Sequence, residues 1–152
     1  MQDFATQLQQ KEQTQEKPVK SEDKNFLLAT YVFFALGIFT GGVTTLIGII
    51  MAYIKQSDYR NTIYESHITY LIRTFWLTIF FFISGFVLFF VGSVFSALFI
   101  FIGIGFITFP LSVMFSYLLY IWAFVWFIVR VVIGFISFYD NRPIARPYTW
   151  LF

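Results

Sequence analysis

TFWLTIFFFISGFVLFFVGSVFSALFIFIGIGFITFPLSVMFSYLLYIWAFVWFIV, residues 74–129, decides how this chain is read. The stretch contains no Asp, Glu, Lys, Arg or His, and Phe, Ile, Leu and Val dominate it. A soluble domain of this size cannot bury so long an apolar run on every side. A bilayer can: its hydrocarbon core, roughly 30 Å thick, accepts apolar side chains all round a helix at about 20 residues per span. The rest of the chain reads as attachments to that slab.

Composition agrees. Of 152 residues, 59% are hydrophobic and only 12% charged, about half the usual globular share, which points to the membrane class. The 23 Phe read as bulky lipid-facing surface. A net charge of +2, spread along the chain, does not suggest nucleic acid as a partner. There is no cysteine, so disulfides, thiol chemistry and cysteine metal sites are excluded. A single histidine cannot hold a metal alone, and no cofactor is expected.

Outward from the slab, residues 1–25 are polar and rich in Gln, Lys and Glu, and read as a disordered tail. The apolar segment starts only at Phe26, too late for a secretory signal, so the tail is expected to be retained. Phe26 to Ile54 carries no charge and is long enough to span with tilt. Gly37, Gly41, Thr44 and Gly48 recur there at helical spacing and would share one face. Small residues let a second helix backbone approach closely. That face serves either homodimerisation or packing against the chain's own helices.

KQSDYRNTIYESHITYLIR, residues 55–73, is the charged interior segment. Ser57 or Asp58 is expected to cap a helix running into the next span. Glu65 and Arg73 fall on one face of it, with His67 on another. These three read either as an interfacial collar, where Arg snorkels and Tyr sits at headgroup level, or as a polar docking or relay site. Beyond them, Gly85, Gly92, Ser96 and Gly103 again share one helical face if the helix stays continuous, a match for the small-residue face of the first span; Gly92-Ser93 or Gly103-Gly105 could equally be a turn. As one helix, Ile68 to Phe138 would run about 106 Å, more than any single crossing. Pro110 is the expected break or kink. Arg130 interrupts the last apolar segment, either snorkelling to the interface or buried as a counter-ion to Glu65 or Asp140. The tail, residues 139–152, holds Arg142, Arg146 and Trp150, which suit an anionic lipid surface.

The glycine-bearing first span that ends in MAYIKQSDYRNTIYESHITYLIRTFW, followed by Arg130, Gly134 and RPIARPYTW, resembles the DUF4870, Tic20-like group of small bacterial membrane proteins. In that group a span ends in a basic turn, an acidic and histidine-bearing stretch opens the next, and the last span ends in a basic-glycine segment and an aromatic tail. The resemblance implies an uncharacterised membrane protein; the import role of plastid relatives is not carried over.

The expectation is therefore an all-α, polytopic helical bundle with three long spans, about 26–54, 68–96 and 106–138; the alternative is four. The excess of Lys and Arg places the C-terminus in the cytoplasm in either case, in a bacterial inner membrane. The chain has no P-loop, dinucleotide fingerprint, HExxH site or nucleophile-base pair, so catalysis is not expected. Its expected partners are the lipid bilayer and another membrane protein or a second copy. Two functions compete: a subunit, assembly factor or scaffold acting by helix packing, and a small carrier or oligomeric channel with Glu65, His67 and Arg73 at its mouth.

Overall fold

The computed structural model of the protein describes residues 20–149. Among them there are four α-helices, a short 3-10 turn and no strand. The helices are α1 (Ser21–Gly37), α2 (Val43–Lys55), α3 (Tyr64–Leu98) and α4 (Ile104–Tyr139). Contacts divide the chain into two compact units. One combines the described residues up to Arg73 with those from Val131 onward; the other is Thr74–Arg130.

In the first unit, α1 begins earlier than expected. Ser21 to Asn25, read from sequence as tail, are helical, with Glu22 and Asp23 in the first turn where they oppose the positive end of the helix dipole. The remainder of the expected tail, residues 1–19, lies outside the described residues.

The expected single span from Phe26 to Ile54 is corrected to two helices. Gly41 and Gly42 adopt φ +62° and +93°, left-handed values that a Cβ disfavours, and the Gly42 amide closes on the Gly37 carbonyl at 2.8 Å. The chain then reverses. Gly37 meets Thr45, Gly48 meets the Phe34 ring, and the Lys55 ammonium lies 5.8 Å from the Phe26 ring centroid, an antiparallel register. A Cβ on Gly48 would stand 2.7 Å from Phe34, so glycine there permits the contact. At 17 and 13 residues the two helices measure about 26 and 20 Å.

Leu27, Tyr31 and Phe34, spaced four and three apart, form the buried stripe of α1 and pack with Ile49 and Ala52 of α2 within one core. The last turns of α4 reach Tyr31 and Tyr70 at Gly134, where a Cβ would come within 2.9 Å of the Tyr31 hydroxyl. Three polar segments then meet. Tyr59, between α2 and α3, donates to the Asp23 carbonyl at 2.9 Å, and Lys24 donates to the Asn141 side chain at 3.1 Å. The start of α1, the α2–α3 connection and the segment after α4 thus lie at one end of this unit.

In the second unit α3 and α4 run antiparallel. Phe81 packs edge-on against Trp126, Phe82 lies against Tyr120, and the Ser96 and Thr108 hydroxyls are 2.8 Å apart. The turn between them, Phe99 to Gly103, contains the 3-10 residues Ile100–Ile102 and closes on Gly103 at φ +81°. Pro110 does not break the chain; α4 continues through it. Pro110 faces outward, and the Thr108 and Ser112 hydroxyls bond the Ile104 and Phe109 carbonyls on either side. The expected spans 68–96 and 106–138 lie within α3 and α4, which are both long and apolar enough to cross a membrane. Only 6% of the most apolar part of α3 is buried, unlike the core helix of a soluble domain.

Candidate functional site

The most connected polar group of the first unit is His67, in the opening turns of α3 and only 1% exposed. Its Nε2 lies 2.9 Å from the Arg142 carbonyl, which can only accept, so Nε2 carries the proton. In the neutral ring Nδ1 then accepts, and the Tyr31 hydroxyl, 2.9 Å away, donates to it. The aromatic rings of Tyr31, Tyr64 and Phe138 surround the imidazole at centroid distances of 6.0, 6.4 and 6.0 Å. One residue earlier, the Ser66 hydroxyl accepts the Ile144 amide at 3.0 Å. The Arg73 guanidinium stacks over the Tyr148 ring at 5.5 Å. Ser66, His67 and Arg73 of α3 therefore each contact the segment after α4.

Glu65 faces another task. Its carboxylate accepts the Asn61 amide at 2.8 Å, and the Thr62 hydroxyl accepts the Tyr64 amide at 3.2 Å. Together they close the start of α3 in the manner of a capping box. The expected caps Ser57 and Asp58 do not serve there; Asp58 pairs with Lys55 at 2.9 Å. Glu65, His67 and Arg73 thus each engage a separate partner. Among the described residues no group of three His, Asp or Glu is arranged to hold a metal ion.

Tyr59 adds a pH-sensitive tie. Burial, helped by Asp23, pushes its phenol well above the ordinary 10.0. Only the protonated phenol donates to the Asp23 carbonyl. The stability this bond contributes is therefore complete below pH 10 and lost as pH rises through the raised value.

In the second unit Arg130 is fully buried. Its Nε donates to the Thr74 hydroxyl at 2.9 Å, and its guanidinium lies 4.9 Å from the Trp126 ring centroid. The arrangement differs from a snorkelling arginine. Thr74→Val keeps the side-chain volume but removes the acceptor. It is expected to cost about 1.5–3 kcal/mol, read as a lower denaturation midpoint in detergent.

The small residues serve contacts within the chain. Gly37 and Gly48 pack across the α1–α2 hairpin, while Gly41 turns it. Thr44 bonds Thr40 in the same turn. Gly85 faces Tyr120, Gly92 faces Ser112, and Ser96 bonds Thr108, so this face meets α4. Gly103 lies in the turn and not on that face. Arg142 and Arg146 are exposed, and Trp150 lies outside the described residues. Sequence reasoning missed Tyr31, Tyr59 and Ser66. The signal for Tyr31 was its place between Leu27 and Phe34 on an otherwise apolar stripe.

Beside the helix contacts, a groove of about 690 Å³ runs along the second unit, lined by Phe80, Val87, Val91, Phe95, Leu111 and Phe115 among others. No family model, curated protein or solved structure matches the chain.

Proposed function

We propose that this is a small protein of the bacterial inner membrane that acts through helix packing, as a subunit, assembly factor or scaffold of a membrane complex. The apolar groove between α3 and α4 carries this reading. The hairpin's own glycines are engaged inside it, whereas the groove is open and mostly apolar, a surface against which an added helix would pack.

The Lys24–Asn141 hydrogen bond supports placing the start of α1 and the segment after α4 on one side of the membrane. Three crossings would separate them, so we favour an even number. Lys24, Lys55, Arg60, Arg142 and Arg146 then share the side of the C-terminus, which the positive-inside rule assigns to the cytoplasm. A photo-reactive residue at Val87, in the groove, is expected to give a discrete protein adduct in intact membranes. Adducts to lipid alone would overturn the proposal.

A further inference from the structure

The single histidine of the chain joins three elements of the first unit, and its two ring nitrogens hold different ones. Nε2 carries the ring proton and donates to the Arg142 carbonyl, which fastens the segment after α4. Nδ1 carries a lone pair and accepts from the Tyr31 hydroxyl, which fastens α1. Among the described residues that hydroxyl has no other hydrogen-bond partner.

A further proton acts on the two nitrogens in opposite ways. It can only go to Nδ1, because Nε2 already carries one, and both nitrogens are then donors. The Nε2 bond to the carbonyl becomes charge-assisted and strengthens. At Nδ1 the Tyr31 hydroxyl now meets a donor where it had an acceptor. If the hydroxyl turns to accept, its own proton is left without a bond.

The charge that appears is sealed from water, and no acid is bonded to it. The titratable groups turned toward the ring are phenols, Tyr31 on α1 and Tyr64 on α3. The end of α4 presents the Phe138 ring, and the segment after it presents the Arg142 carbonyl, while Arg142 itself is exposed. Of the acids at this end, Glu65 accepts the Asn61 amide, Asp58 pairs with Lys55, and Asp23 acts on Tyr59 and Tyr64. Glu22 and Asp140 are exposed. A buried charge without a paired acid is costly, and the contact that opposes it is the one to yield.

We infer that His67 is a proton-operated tie: the neutral ring fastens α1 to α3, and the protonated ring releases α1 while it keeps the segment after α4. The tie lies wholly within the first unit. It is made when the ring is neutral and is lost as pH falls through the titration of the imidazole. The response is a shift of α1, and with it of the α1–α2 hairpin.

Asn25→Cys on α1 and Ala145→Cys in the segment after α4 replace exposed side chains. Each is made in the full chain, which has no other cysteine, and carries a nitroxide. On going from about pH 8 to about pH 5, the Asn25 label is expected to gain mobility several-fold while the Ala145 label stays as it was. Mobilisation of both labels together, of the Ala145 label alone, or of neither would overturn the inference. His67→Gln cannot take up the proton, so with it the Asn25 label should not respond to pH. A response kept in that variant would assign the change to another titrating group and overturn the inference as well. A further readout needs no variant. With an isotopically labelled imidazole, the ring nitrogen signals of the single histidine should place the proton on Nε2 at neutral pH. A proton on Nδ1 under those conditions would equally overturn the tie.

Discussion

Replacing Gly105 with leucine is expected to open the α3–α4 hairpin. A Cβ at this position falls against the Ser96 carbonyl oxygen and 2.8 Å from the Ile100 Cα, so the clash is with backbone and no side-chain rotation relieves it. Overpacking of this kind costs about 3 kcal/mol, roughly a hundredfold in the ratio of closed to open hairpin. The readout uses cysteines at Ser96 and Thr108, whose hydroxyls are 2.8 Å apart. Those thiols should form a disulfide readily in the otherwise native chain and lose it when leucine replaces Gly105. An unchanged yield of disulfide would mean that the close approach of Gly105 to α3 is not what sets the turn.

His67→Ala is expected to release the segment after α4. The substitution leaves the buried Tyr31 hydroxyl and the part-buried Arg142 carbonyl without their bonds to the imidazole. The unsatisfied Tyr31 hydroxyl alone costs about 1–3 kcal/mol. Hydrogen exchange over residues 140–149 is the measurement, because the Ile144 amide is held by Ser66 one residue away from His67. Exchange should accelerate at least tenfold. His67→Phe separates the causes: it keeps a ring against Phe138 but restores neither bond, so it should accelerate exchange as the alanine does. Protection unchanged in both variants would show that the tail is held by Ser66 and Arg73 alone.

Much of the architecture was legible in the residues. The absence of ionisable groups from Thr74 to Val129 announced long exposed helices, and the structure has them as α3 and α4. The polar segment from Lys55 to Arg73 was singled out, and His67 proves to be its best-connected member. The places where the chain reverses were less legible. Gly41 and Gly42 looked like part of a packing face, since spacing alone cannot distinguish a glycine that admits a neighbour from one that takes a positive φ. Pro110 looked like the break or kink, with a turn at Gly92-Ser93 or Gly103-Gly105 as the alternative; α4 passes through Pro110, and the reversal occurs at the turn that closes on Gly103.

By itself, then, the sequence determined that the chain is helical and that two of its helices are long and apolar enough to cross a membrane: hydropathy is a sum over single residues, and a helix is held by bonds between near neighbours. Tertiary structure alone decided that Phe26–Ile54 is a hairpin, that Gly92 meets Ser112, and that Tyr31, His67 and Arg142 join three distant segments. Those outcomes depend on which faces come within van der Waals or hydrogen-bond reach once the chain has reversed, and that distance is written in no single stretch of residues.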